Sequence, residues 1–562
     1  MGQVVYFYRH KPARMIISSP ITTDNNWDTL FEDPAIVTHL NENVFPVYLQ
    51  ECRWFAAKAS VLKQISIDKL LPFPLPTAKG VYLLVIEVIP DTGLAQQYFL
   101  PLSFVPKQAE PEQDPKSLVT PIIINGESGW LVDALFTETF RQQLFLHLLQ
   151  NDEVNVGNGS LRFLKGSVLK EIDEVNGYQP ESKLLGVDQS NTSIVYDNRF
   201  FLKIYRRLFR DPNPDSEITH FLTERAGFKY SPRFAGSITW KRKNTYDVSV
   251  ALMQERVENN GDAWPFMLNH ILRFFKRIEE KQTDTDAIEQ VRLLRPLQIR
   301  QLSENLVELI GFEVLKSIQQ LALRTAQMHI ALSSDMQDTR FVPQDFNGDY
   351  TVWLKNRLLY QFDTRCNLVE QSLSRLSGLA LDHAREFLHL KTEIINRILS
   401  FDELHLTSRR IRIHGDYHLG QVLVTPPDDD FCILDFEGEP ENTIHDRKVK
   451  QSPLKDVAGM LRSFHYAIYA TIFNEQSELT YPRKQLFAAG EKYYAALVAV
   501  FLNTYIKTAQ RNRLDIGYLP EIKYLLEYNL LEKAIYELGY ELNFRPTWAI
   551  IPLQGVMQLL KQ

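Results

Sequence analysis

Residues 411–440 read IRIHGDYHLGQVLVTPPDDDFCILDFEGEP, and their acidic and amide groups are spaced for the transfer of a phosphoryl group. Val422 to Thr425 and Phe431 to Leu434 are apolar or β-branched runs of strand length, separated by Pro426, Pro427 and three aspartates, which is turn chemistry. The spacing predicts a β-hairpin. Folded symmetrically about Asp428, it sets Gln421 opposite Asp435 at its open end, with Asp416 just upstream. Hard oxygen ligands of this kind suit Mg2+, an ion that keeps several waters and is completed by nucleotide phosphates. On this reading Asp416 accepts the proton of a substrate hydroxyl, Gln421 and Asp435 hold Mg2+ against the β- and γ-phosphates of ATP, and Glu437 is placed for a second ion. The competing reading is an ordinary turn whose carboxylates cap backbone N–H groups. A zinc pair of His414 and His418 is not supported: the glutamate and helical setting of a metalloprotease are missing, and Gly415 between them argues for a loop, which His414 is expected to brace.

A second group of residues supplies what such a site still needs. Ser193 to Tyr196 and Arg199 to Tyr205 read as strands joined by Asp197-Asn198. Lys203 lies inside the second, among Phe201, Leu202, Ile204 and Tyr205, where a lysine costs desolvation unless it meets an anion. Glu217 follows near the start of a predicted helix that Asp215 or Ser216 can cap. A strand lysine paired with a helix glutamate and holding the α- and β-phosphates is the other half of the protein-kinase arrangement; Glu224, two turns on, is the competing glutamate. There is no G-x-G-x-x-G. In its place GVDQSNTSIV offers Gln189, Ser190, Asn191, Thr192 and Ser193 as hydroxyl and backbone N–H donors to phosphate. The strand-like VSVALMQERV leads into a linker, where Gln254, Glu255 and Val257 are candidates for holding adenine.

The elements that must carry these groups divide by composition. Residues 1 to about 105 form a small α+β unit, with a hairpin of Val81 to Ile89 and Gln97 to Phe104 about Asp91-Thr92-Gly93. Within it CRWFAAKAS, 52–60, reads as a packed aromatic corner with snorkelling Arg53 and Lys58. The polar stretch 106–117 carries three prolines and marks a unit boundary. Residues 118–256 are mixed strand and helix, with SLRFLKGSVL, 160–169, as a strand. Residues 257–562 are almost wholly helical apart from the hairpin, with helical spacing at 316–332, 350–399, 454–472, 483–510 and 520–540.

Bulk properties exclude several classes. A net charge of −7 without a basic stripe argues against a nucleic-acid partner; RRLFR at 206–210 is short and reads as a solvated helix face or as positive charge beside the nucleotide. Three scattered cysteines make no disulfide framework, which points to a reducing cytoplasm. The opening MGQVVYFYRHKPAR has no apolar signal core, and no apolar run reaches the roughly 18 residues of a membrane span.

With these residues in view, the chain resembles the maltokinase family. The resemblance rests on CRWFAAKAS, DQSNTSIV with FFLKIYRRL, the helix of Glu217, LMQERV, RTAQMHIAL, HGDYHLGQVL, LDFEGEP, SPLKDVAGMLRSFHYA and the tail YNLLEKAIYELGYELNFRPTWAIIPLQGV. It departs at Ala56-Ala57, where the family has Gly-Gly, and at Ser60, where it has Arg. The resemblance implies a bilobal, protein-kinase-like fold of α+β class, similar to the aminoglycoside phosphotransferases, with an N-terminal cap subdomain and a mainly helical C-terminal lobe. It implies ATP-dependent, Mg2+-assisted phosphorylation of maltose to maltose 1-phosphate, with Asp416 as base, Gln421 and Asp435 as metal ligands and Lys203 with Glu217 as the phosphate pair. Family context further implies a product that feeds α-glucan synthesis from trehalose-derived maltose, and trehalose synthase as a partner. The sugar is expected in the helical lobe beside Asp416, with His418, Arg462 and Tyr466 as contacts. The competing readings are a kinase of the same fold for another sugar, such as glucosamine, and a non-catalytic nucleotide-binding regulator.

Overall fold

The strand Val81–Pro90 is apolar at both parities because both of its faces are buried. Val81, Leu83 and Val85 enter one core, while Tyr82, Leu84, Ile86 and Val88 enter another. The structure is a computed structural model describing residues 20–560, apart from 59, 77–78, 108–113, 158, 173–179 and 186–189. Its described residues fall into two units, one running to Glu224 and including Pro232–Arg256, the other formed by Arg225–Ser231 and the chain from Val257 onward.

The first unit contains two seven-stranded sheets. In the first, Val81–Pro90 lies between Leu62–Phe73 and Gln96–Pro106, the latter in the expected hairpin, with Val88 opposite Gln96. Trp54, Phe55 and Ala57 are buried in the core beneath this sheet, so CRWFAAKAS is a packed aromatic corner. The expected boundary at 106–117 is displaced. Leu118–Ile124 and Glu127–Asp133 return to the same sheet, and Glu127–Asp133 pairs with Gln96–Pro106. Proline-rich polar composition marks a connection, but it does not distinguish a loop within a sheet from a linker between units.

The helix Glu138–Gln150 then buries Phe140, Leu144, Phe145 and Leu148 in the core it shares with the second sheet. That sheet runs Glu153–Val156, Gly159–Lys165, Phe234–Arg242, Val248–Glu255, Phe200–Tyr205, Asn191–Tyr196, Ser182–Leu185, all antiparallel. Asp197 and Asn198, with φ of 49° and 55°, make the tight turn before the Lys203 strand. The strand expected over 160–169 stops at Lys165. A Cβ on Gly166 would lie 2.4 Å from the Phe234 carbonyl oxygen, and Ser167–Lys170 turns into a short helix.

The second unit is built from long helices, among them Ala263–Glu280, Phe312–Leu332, Leu454–Phe473, Arg483–Arg511 and Leu519–Phe544. The stretch expected as helical over 350–399 is three helices, Gly348–Ser372, Gly378–His389 and Lys391–Leu399. Leu454–Phe473 is buried on nearly every side, which its apolar composition requires. It packs against the segment after His414 so closely that a Cβ on Gly459 would sit 2.6 Å from the Tyr417 carbonyl oxygen. The hairpin pairs Val422–Thr425 with Asp430–Ile433. No helix among the described residues is long and apolar enough to cross a membrane.

Candidate active site

The hairpin register differs by one residue from the symmetric expectation. Val422 pairs with Ile433, and the Leu434 N–H donates to the Gln421 carbonyl at 3.0 Å, so Gln421 stands opposite Leu434 rather than Asp435. The side chains still meet: Gln421 Nε2 donates to Asp435 Oδ2 at 2.9 Å. Asp435 takes a left-handed φ of 67°, which turns the chain out of the strand at that carboxylate. Glu437 is half-buried two residues on.

The loop carrying Asp416 is fixed from three directions. Asp456, fully enclosed on the helix Leu454–Phe473, accepts from the His414 N–H at 2.7 Å and the Gly415 N–H at 2.9 Å. It is also bonded by His329 Nε2 at 3.0 Å. Because carboxylates only accept, that nitrogen carries the proton, and His329 Nδ1 is hydrogen-bonded to the Tyr505 hydroxyl at 2.8 Å. His414 Nε2 donates to the Leu434 carbonyl at 2.9 Å, tying loop to hairpin, so this histidine braces the loop. Tyr417 is buried, and its hydroxyl meets Thr325 Oγ1 at 2.9 Å. The helix Phe312–Leu332 thus holds the loop through Thr325 and, by way of Asp456, through His329, four residues apart on one face. Its Arg324 grips Asp430 of the hairpin with two bonds of 2.9 and 2.6 Å.

Asp416 itself faces Lys533, whose Nζ lies 3.2 Å from Asp416 Oδ1 and 2.8 Å from Glu439 Oε1. Burial by itself would raise the Asp416 carboxyl, but the neighbouring Lys533 ammonium opposes it, and the group is held well below the ordinary carboxylate range. Burial likewise opposes the Lys533 ammonium, yet Glu439 and Asp416 keep it charged. Burial pushes the His418 imidazole down, toward its neutral form. That ring caps the turn Leu419–Gln421, accepting from the Gly420 N–H at 3.1 Å, and lies 3.9 Å from Asp416.

Asp416, His418, Lys533 and Glu537 line a cavity of about 790 Å³ whose other walls include Trp264, Tyr466, Tyr536 and Trp548. Tyr466 thus lines the same cavity as Asp416. Arg462 does not act from the wall: it is buried and spends its guanidinium on Glu537, at 2.9 and 2.7 Å, and on His465, at 3.1 Å.

In the first unit, Lys203 lies opposite Ser193 on the neighbouring strand. Its Nζ is 3.1 Å from Asp215 Oδ2, and Asp215 is 1% exposed. Asp215 was expected only as a helix cap. Asn213 does the capping, accepting from the Asp215 N–H at 2.9 Å, which leaves the Asp215 carboxylate for the lysine. Glu217 lies on the same helix, Pro214–His220. Glu224, the competing glutamate, instead accepts from Ser167 N–H and Oγ at 3.1 and 2.8 Å. Asn191 and Ser193 are buried on the lysine strand's neighbour, and Asn191 donates to Ser190 Oγ at 3.2 Å; 186–189, with Gln189, lie outside the described residues. Thr192 has the opposite parity, and its hydroxyl accepts from Arg206 Nε at 2.7 Å rather than facing the lysine. Gln254 Nε2 donates to Thr219 Oγ1 at 3.3 Å, and Glu255 is paired with Arg233 at 3.5 Å. In the second unit the Val257 carbonyl accepts from Asn259 at 2.8 Å.

Comparison with known proteins adds to this geometry. Residues 48–136 match the family model of the maltokinase N-terminal cap domain. In this N-terminal segment the chain is similar to the maltokinase family. The cap match covers the first sheet from the aromatic corner through Asp133, in agreement with the corrected boundary. A glucosamine kinase from Streptacidiphilus jiangxiensis is 26% identical over 152 residues, 27% of this chain; the match spans only 32% of that relative's length. The solved structure of a glucosamine kinase in complex with glucosamine, ADP and inorganic phosphate superposes with a TM-score of 0.59 at 16% identity, covering 96% of this chain and 100% of the other. A second crystal form gives 0.57 at 17% identity, with the same coverage. The chain therefore shares its kinase-like fold with these proteins over nearly its whole length.

The Asp456 anchor generates a prediction. Asp456→Ala leaves two loop amides and a buried histidine without their acceptor, and should cost about 3–5 kcal/mol in chemical denaturation. It should also speed hydrogen exchange at the His414 and Gly415 amides; unchanged exchange there would refute the anchoring role.

Proposed function

We propose that the chain is a sugar kinase that transfers the γ-phosphate of ATP to maltose, giving maltose 1-phosphate. The observation that carries this is a charged carboxylate, Asp416, held by Lys533 at the wall of an aromatic-lined cavity of about 790 Å³. Aromatic faces beside polar groups suit the alternating apolar and hydroxyl faces of glucosyl units, and the match of residues 48–136 to the maltokinase cap model supports the maltokinase reading.

On this reading Asp416 orients the anomeric hydroxyl for in-line attack and accepts its proton, while Lys203, braced by Asp215, receives the nucleotide phosphates. The amide of Gln421 and the carboxylate of Asp435 are oxygen donors of the kind Mg2+ takes, with Glu437 within two residues, and they would hold the ion. When bound, the ion neutralises phosphate charge. The residues around Asp416 are preorganised by bonds already made, so little rearrangement opposes the reaction. In this scheme the product supplies α-glucan synthesis, with maltose coming from trehalose and trehalose synthase as a partner.

Phosphorylation of an amino sugar is the second reading, favoured by the name and bound sugar of the structural neighbours. A panel of sugars followed by ADP release, with phosphorus NMR of the product, separates the two. Maltose should be the preferred acceptor and carry phosphate at its anomeric carbon, and Asp416→Asn should lose at least about a hundredfold in turnover. Turnover with amino sugars alone, or an Asp416→Asn variant near wild type, would reject the proposal.

The electrostatics make a pH prediction. Lys533 lowers the Asp416 carboxyl against the effect of burial, so Lys533→Met should leave burial dominant and raise it. The acid limb of the kcat/KM profile should then move to higher pH. A profile reduced in height but unmoved would assign Lys533 to binding alone.

A further inference from the structure

The strand carrying Lys203 leaves one sheet and enters the other. Phe200–Tyr205 belongs to the second sheet, and Arg207–Leu208 pairs with Gln96–Pro106 of the cap sheet. Arg206 is the single residue between them. Although RRLFR suggested a solvated face, the Arg206 side chain is fully buried.

Among the described residues, its bonding partners come from these two bodies. Its carbonyl accepts from the Phe99 N–H at 2.8 Å, and its Nη1 donates to the Phe99 carbonyl at 3.3 Å. Its Nη2 is bonded to the carboxylate of Asp133, itself wholly buried at the end of the cap. Its guanidinium lies 4.8 Å from the ring centroid of Trp54, in the aromatic corner. On the other side Nε donates to Thr192 Oγ1 at 2.7 Å, in the strand that pairs with the lysine strand.

A buried ion pair contributes little net stability compared with apolar residues of the same volume. What a guanidinium adds is direction, because its planar fork bonds only partners that stand at set angles. Here the fork ties the cap, through Trp54, Phe99 and Asp133, to the backbone that presents Ser193 and Lys203.

Resting on the nucleotide-binding reading above, we propose that Arg206 is a positioning residue through which the cap sets the phosphate-binding strands, so that the cap governs affinity for the nucleotide and not for the sugar. The link runs through Thr192 on one side and Asp133 on the other. Lys203, three residues before Arg206 on the strand that Arg206 follows, is the group it positions.

The test uses the full chain and MgATP titrated calorimetrically, with KM for maltose measured in parallel. Arg206→Lys, Asp133→Asn and Thr192→Val should each weaken MgATP binding by about tenfold or more while KM for maltose stays near wild type. Thr192→Val removes one half-buried hydroxyl only, so it remains informative if Arg206→Lys fails to fold. The pair Arg206→Lys with Thr192→Val should bind MgATP no worse than Arg206→Lys alone, the non-additivity expected of one shared link. MgATP binding at wild-type strength in Thr192→Val and Asp133→Asn would overturn the proposal. Equal worsening of the nucleotide and maltose constants would also overturn it, as a general loss of structure. If the unaltered chain itself failed to bind MgATP, the nucleotide reading would fall, and the proposal with it.

Discussion

A buried carboxylate holds the candidate catalytic centre in place. Asp456 collects two backbone N–H groups of the Asp416 loop and the ring of His329, with almost no access to solvent. Charge at such depth is tolerable only when it is fully bonded, and the three donors supply that. The consequence is mechanical. The loop can turn at Gly415, whose φ of 85° suits glycine, while its direction is dictated by a helix whose own packing is tight enough to need Gly459. Thr325, Arg324 and His414 then fasten the same loop and hairpin to their surroundings.

On this frame the electrostatics become selective. Lys533 sits between Asp416 and Glu439, so one cation serves two carboxylates, and Asp416 remains charged where burial would otherwise favour a proton. A group meant to orient a hydroxyl must be an acceptor at working pH, and this arrangement secures that. Lys203 follows the same logic in the first unit, where buried Asp215 stabilises it on an apolar strand. In both places a costly charge is retained beside a partner, as functional sites commonly arrange.

What could be read beforehand depended on sequence separation. Asp416, Gln421 and Asp435 lie within twenty residues, so strand and turn patterns bring them together, and even a one-residue error in register left Gln421 touching Asp435. Lys203 was visible because a lysine among apolar strand residues is anomalous. Asp456, Lys533 and Glu439 were not visible in their roles: Lys533 lies 117 positions from Asp416, and nothing local distinguishes it from any other helical lysine. Asp215 was misread because an acidic residue at a helix start is most often a cap, and the neighbouring Asn213 performs that task. The buried polar pair Thr325 and His329, four apart on an otherwise apolar helix face, was the one legible sign that this helix holds something other than core. The cap boundary failed because loop chemistry looks alike inside a sheet and between units.

The most direct test is a structure of the full chain with Mg2+, a non-hydrolysable ATP analogue and maltose. The account predicts the anomeric hydroxyl of maltose within about 3 Å of the Asp416 carboxylate, the metal on Gln421 and Asp435, and the phosphates on Lys203. Maltose bound away from Asp416, or phosphates that contact neither Lys203 nor a metal held by Asp435, would contradict it.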